Sequence, residues 1–394
     1  MAVAIVALAS LSAIFVAADG GARRNSPPGP DSWRGGYGNW SNPFKWTAGV
    51  PGTGSLNQNV VVATSNDQVN WDANTNIASF TVGTGTSDSI VNGTAGHSMN
   101  VRGPLTINSG AFTLNADTVT AAGDLTLVRG DLLVGEVSTV RINANGTSSA
   151  YLAVGGIGSQ GDQVTVTGTW TITADGGIQL GGFDAITFGQ LVNAGQVTLY
   201  CGGTLTVTGD VDNSGCMATS ANGFCYAGAT CLTRGGVLTG KRVRVRAAND
   251  SAIGSVVNVG GTLNNGPSSS FTLNMEDTAN VARFLNDGSI YIATGQLNVG
   301  TLVAESGSHF GLEIDSPTAF GVTQVSGSVT LGGSLEADLN PDFKPSNGET
   351  FKFLLFPPGN LSGTFSSVNQ GWRVVYDNAD GYVELVAVGA NVGP

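Results

Sequence analysis

From about residue 100 to residue 335, apolar and polar residues alternate in short runs broken by Gly, Asn or Asp. Segments 101–114 (VRGPLTINSGAFTL), 121–134 (AAGDLTLVRGDLLV), 163–173 (QVTVTGTWTIT) and 203–211 (GTLTVTGDV) carry the texture. A period of two is that of a strand with one buried face. No segment after the N-terminus holds a helical apolar stripe, so the chain reads as all-β. A loose Gly-x-Leu/Val-x-Val/Leu element recurs at Gly123–Leu127, Gly130–Val134, Gly203–Val207, Gly235–Leu238, Gly260–Leu263 and Gly295–Val299. Many short strands with Gly/Asn turns admit a string of sandwiches or a parallel β-helix. Aromatic residues are only 7%, and small Val, Thr, Leu and Ala side chains dominate, which suits a narrow stacked core. The expected fold is an elongated parallel β-helix (β-solenoid). With about 20–25 residues per rung, its body would be on the order of 50–60 Å long.

The flanks change character. Residues 1–18 (MAVAIVALASLSAIFVAA) are apolar or small, with no basic residue before the run and small residues at Val16 and Ala18. They read as a secretory signal peptide cut after Ala18, too short for a membrane span of about 20 residues. Residues 19–32 are a Gly/Pro-rich linker. Residues 33–62 hold Trp33, Trp40 and Trp46, half of the six tryptophans, and read as an N-terminal cap over the end of the core. The same indole faces would also suit stacking on sugar rings. Residues 63–305 are the solenoid, and residues 306–394 a C-terminal β module. The expected location is secreted, extracellular or at the cell surface, with no transmembrane segment after signal cleavage.

Composition narrows the function. Charged residues are 11% of the chain, so Thr, Ser and Asn supply the solvent face. A net charge of −12 disfavours nucleic acid, whose phosphates need a basic footprint, and disfavours adsorption to anionic lipid. The only histidines are His97 and His309, which leaves little room for a histidine-based metal site or triad. Cys201, Cys216, Cys225 and Cys231 form an even cluster with no Cys-x-x-Cys pair. In a secreted chain this reads as two disulfides of open connectivity stapling a loop at 201–231, within which Asp212–Thr230 loses the strand alternation. Asn39, Asn92, Asn145, Asn249 and Asn360 begin Asn-x-Ser/Thr sequons, glycan acceptors where the host modifies secreted proteins.

Two stretches resemble autotransporter-like secreted β-solenoid (passenger-type) surface proteins. In 38–62, Gly38, Trp40, Trp46, Gly49, Val50, Pro51 and Val60–Val62 fall on the opening motif of that class. An Asp often seen before its first strand is replaced by the Asn57–Asn59 region. Near the C-terminus, Val325, Gly327, Leu331, Gly332, Gly333, Leu335, Gly348, Phe351, Ser362, Gly363 and Phe365 match the closing strands in order. The resemblance implies a passenger-type solenoid displayed outside the cell and is nearly silent on activity. The sequence ends at Pro394 without the membrane β-barrel of a true autotransporter, so self-translocation is not expected.

The chemical candidates are few. Lys241, Arg242, Arg244 and Arg246 (KRVRVR) would place three arginines on one strand face, a stripe for an acidic polysaccharide or a solvated face balanced by nearby acids. Glu313 and Asp315 alternate on one strand, as do Glu336 and Asp338; such pairs fit glycosidase spacing, but any alternating strand produces it. Gly156–Gly161 spells a dinucleotide fingerprint but runs into a strand rather than a helix, so it reads as a turn. Asp377–Gly381 reads as a turn rather than a Ca²⁺ loop, and Gly182–Asp184 does not complete a Ca²⁺ repeat. No catalytic residue, cofactor or metal site is expected. The favoured function is a structural or adhesive solenoid presenting an extended surface to an extracellular glycan or to cell-surface or matrix components. The alternative is a polysaccharide-active β-helix lyase or hydrolase on acidic glycans.

Overall fold

The computed structural model describes residues 29–53, 57–85, 88–155, 161–181, 183–200, 202–220, 254–274 and 277–388. They wind into a parallel β-solenoid of about 11 turns. Each turn lays down up to three short strands, and along the body of the coil these pair in parallel with their counterparts one turn on. Gly110 lies opposite Gly130 and Tyr151 opposite Gly177, so a turn takes about 20–26 residues. The first face is a 15-stranded sheet running from Tyr37–Asn39 to Ser367–Val368. The other two faces merge into a 23-stranded sheet, because strands such as Gln163–Ile172 and Val256–Asn265 bend through the corner unbroken. The bend sits at register shifts, Val166/Thr169 in one and Val259/Thr262 in the other.

The alternation explains the core. In Leu125–Leu127 the leucines are buried and Thr126 faces out. Parallel register then stacks like on like. Val60, Phe80, Leu105, Leu125, Gly146, Trp170, Leu191 and Val211 form one continuous inward column. Where the column carries a large ring, its neighbour shrinks: a Cβ on Gly146 would sit inside the Trp170 ring.

Corners need a different solution, because backbone N–H groups there lose their strand partners and are buried. Between the first and second faces, the side chain ahead of several second-face strands caps the preceding rung. The His97 N–H donates to Asp117 (3.0 Å), the Ser138 N–H to Asp162 (2.6 Å), the Asp162 N–H to Asp184 (2.8 Å) and the Ser255 N–H to Asp277 (2.7 Å). Between the third and first faces, the aliphatic column Val62, Val82, Ile107, Leu127 gives way further along to Asn193, Asn213, Asn265 and Asn286. These four buried asparagines hydrogen-bond in series, at 2.8, 2.8 and 2.7 Å.

Both ends of the coil are closed by rings. Trp46 stands edge-on to Trp33 and Trp40, at centroid distances of 5.0 and 4.7 Å, and Trp40 meets Phe80 at 5.5 Å. The stretch around them already belongs to the coil, since Asp31–Ser32 pairs with Asn59–Val62 and Tyr37–Asn39 with Gln68–Trp71. At the other end the coil runs on past residue 305: Ser334–Leu339 pairs in parallel with His309–Ser316. It closes only when Thr350–Leu355 meets the antiparallel strands Trp372–Asp377 and Tyr382–Ala387. The Asp377–Gly381 segment is the turn of that hairpin, with the Ala379 and Asp380 N–H groups donating to Asp377.

The loop expected over 201–231 is corrected in its first part. Thr204–Val207, Val211–Asn213 and Cys216–Ser220 are strands of the coil. On the first face the next partner of Cys216 is Ser270. The residues beyond one ordinary turn therefore fall in 221–253, outside the described residues.

Candidate functional site

The structure redistributes the sequence candidates. Lys241, Arg242, Arg244 and Arg246 lie outside the described residues, as do Asn249, the 1–18 segment and Cys201, Cys225 and Cys231. Cys216 is described and is not a free thiol, but its sulfur partner is outside the described residues. Trp33, Trp40 and Trp46 are 3%, 0% and 1% exposed. Their Nε1 groups donate inward, to the carbonyls of Gly36, Pro51 and Trp40. Rings so covered close the core and offer no face to a sugar, which corrects the stacking expectation. Among the sequons, Asn39, Asn145 and Asn360 are exposed and Asn92 is half-buried.

The acidic pairs, which the sequence presents as two unrelated strands, are brought together. His309–Ser316 and Ser334–Leu339 are adjacent on the first face, with Glu313 opposite Asp338 and Gly311 opposite Glu336. Their outward residues form a cluster of Glu313, Asp315, Glu336 and Asp338 with two groups that the sequence did not join to them. His309 places Nε2 2.9 Å from Glu336 Oε2 and Nδ1 2.9 Å from Ser334 Oγ. Tyr291, one rung earlier and 6% exposed, lies across Gly311 and donates to Asp338 at 3.1 Å, with Glu313 at 3.5 Å. Asn340 donates to Asp315 at 3.0 Å. Gly311 is what admits the ring, since a Cβ there would meet Tyr291 Cδ2 at 2.5 Å.

Chemically, the cluster can hold and pass protons. One phenol is shared between two carboxylates, and an imidazole is held between a hydroxyl and a third. Its wall is an open sheet face, whereas a concavity lined by Asn258, Asn280, Asn298 and Gln324 lies on another edge. Among the described residues, no three His, Cys, Asp or Glu side chains are disposed to hold a metal ion. Register is what the sequence lacks: Tyr291, then His309 with Glu313 and Asp315, then Glu336 with Asp338 lie on three successive rungs, a relation visible only once the turn length is known.

A second titratable feature is buried. Asp162 and Asp184 are both 0% exposed in the corner between first and second faces. Asp184 Oδ1 accepts the Asp162 N–H, whereas Asp184 Oδ2 has no hydrogen-bond partner. Burial, then the neighbouring Asp162 charge, outweigh that hydrogen bond and raise the Asp184 carboxyl from 3.8 to about 6.

The outward columns are the remaining surface. Thr81, Thr106, Thr126, Thr147 and Thr171 stack in unbroken register on the third face. On the second face Asn258, Asn280, Asn298 and Gln324 do the same. No protein-family model, curated protein or solved structure matches the chain.

Proposed function

We propose that the protein is a secreted or cell-surface β-solenoid of structural or adhesive role, presenting a long, uncharged polar surface to extracellular glycans or to cell-surface or matrix components. The observation that carries this reading is the in-register outward columns, five threonines on one face and four carboxamides on another. Such columns repeat one hydrogen-bonding group at each rung, which suits a repetitive partner. The signal-like 1–18 segment, the clustered cysteines read as disulfides, the sequons and the likeness to autotransporter passengers support an extracellular setting. Antibody labelling of intact producing cells, with N-terminal sequencing of the external form, tests it. External protein lacking residues 1–18 is expected; retention inside the cell with that segment attached would sink the reading.

The Tyr291–Asp338 and His309–Glu336 contacts favour a second reading, a lyase or glycoside hydrolase acting on acidic glycans. A turnover screen on uronic-acid polymers separates the two. Turnover that disappears in Asp338→Asn would establish the enzyme, and its absence leaves the cluster a hydrogen-bonded surface network.

A further inference from the structure

A shallow concavity of about 640 Å³ runs along the edge where the second face turns into the third, across four successive rungs. One rim is the carboxamide column. Asn280 donates to Asn258 and Asn298 donates to Asn280, each at 2.9 Å. A carboxamide has two N–H donors and an oxygen with two lone pairs. The ladder uses one of each on Asn280, which fixes its plane and leaves one donor and one acceptor free. The floor is small: Gly260, Ala282 and Gly300. It stays small because of the stacking beneath it, since a Cβ on Gly260 would meet the Thr208 carbonyl at 2.6 Å and one on Gly300 would overlap the Ala282 carbonyl. Val259, Val281, Val299 and Val325 line it in register between rim and floor, and Ser326 completes the last rung.

We propose that this trough binds an extended neutral polysaccharide chain running parallel to the solenoid axis, one sugar to a rung. The proposal rests on the reading of the body as a glycan-facing display surface and gives it a site. Three features select the ligand. The trough is open along the axis, so the occupant is linear rather than a closed small molecule. Its polar side chains are four carboxamides and the Ser326 hydroxyl over an apolar floor, and no charged side chain lines it, so the occupant is uncharged and offers both hydroxyls and C–H faces. The rungs repeat every ~4.8 Å, close to the length of one pyranose unit in an extended glycan, so each Asn meets an equivalent hydroxyl. Fixed amides also reduce the ordering cost of binding.

The test is affinity electrophoresis and calorimetry of the full chain with soluble neutral probes, a β-1,3-glucan, a β-1,4-glucan and a galactomannan, and a polyuronate as acidic counter-probe. Wild type is expected to bind at least one neutral polymer. Ala282→Trp, at an exposed floor position, fills the trough and abolishes binding. Asn280→Ala with Asn298→Ala removes two hydrogen-bonding groups and weakens it about tenfold or more. Phe44→Ala, at a residue 86% exposed near the N-terminal end of the coil and away from both outward columns, leaves it unchanged. Unaltered melting of the variants shows that the coil is intact. Equal neutral-glycan binding by wild type and Ala282→Trp would overturn the site while leaving the display reading standing. Binding of the polyuronate alone, or of no glycan, would overturn the ligand class.

Discussion

Asn213 donates its side-chain amide to Asn265 at 2.8 Å although the two stand 52 positions apart in the chain. The contact is one step of a four-asparagine ladder whose other two steps are 2.8 and 2.7 Å, so the long detour leaves the spacing unchanged to within 0.1 Å. The backbone agrees, since Val211–Asn213 pairs directly with Val256–Asn265. The rungs on either side of residues 221–253 thus stack as though consecutive. A chain lacking 221–252, with Cys201 and Cys216 changed to Ser, should retain the β-rich circular dichroism and cooperative melting of the parent. Loss of folding in that variant would mean that the excised segment supports the coil.

The ladder has a direction, and this predicts unequal costs. Each amide donates forward to the next asparagine, and the next position in the column is Ala304, which cannot accept. Asn286 Nδ2 is accordingly buried without a partner. Asn213→Ala strands its neighbours on both sides and also removes the bond to the Ser270 carbonyl. It should cost on the order of 3 kcal/mol, whereas Asn286→Ala deletes an already unsatisfied donor and strands a neighbour on one side only, the Asn265 amide, and should cost about 1–2 kcal/mol. Urea midpoints of the two variants measure the difference. Equal costs would contradict the directional reading.

Asp184 sets a pH dependence whose sign is opposite to that of a salt-bridged acid. Its carboxyl is raised by burial from 3.8 to about 6, so the folded state holds the proton more tightly than the unfolded chain. The stabilising contribution is fully present below about pH 3.8 and is lost as pH rises through about 6. Asp162, stacked beneath it, is the charge that faces it. Asp184→Asn keeps the acceptor for the Asp162 N–H and removes the buried charge. It should melt higher than the parent at pH 7–8, with the gap closing as pH falls toward 4. A gap that does not depend on pH would show that packing, not ionisation, governs the site.

The alternation of Val, Leu and Thr was enough to give the strands, the parallel coil and the length of a turn, because each is a local consequence of period two and small side chains. What the sequence hid depends on register. Asn193, Asn213, Asn265 and Asn286 close similar phrases (LVNAG, VDNSG, LNNG, FLNDG), a repeat that was present but reads as turn chemistry until adjacent rungs supply each amide with a partner. Glu313 and Asp338 read as two solvated strands because one rung separates them, and the same step separates Tyr291 from Glu313 and His309 from its partner Glu336. The inward aim of Trp33, Trp40 and Trp46 is hidden as well, since composition does not say which way an indole points.

Register also pairs large with small in the core, and this can be tested by a double substitution. Gly146 lies opposite Trp170, which stacks on Phe188 at 5.4 Å with an interplanar angle of 10°. A Cβ at 146 would overlap the indole, so Gly146→Ala must displace a fully buried ring or open the strand pair. Overpacking of this kind costs about 1–3 kcal/mol. Trp170→Leu alone loses buried area and leaves a void, at about 2–4 kcal/mol. In the double variant the alanine methyl occupies part of the space the indole vacates, and leucine restores the aliphatic column of Leu105, Leu125 and Leu191. The double variant should therefore be more stable than the sum of the singles by at least about 1 kcal/mol. Simple additivity in denaturant midpoints would show that Gly146 is required by its own backbone rather than by the ring opposite it.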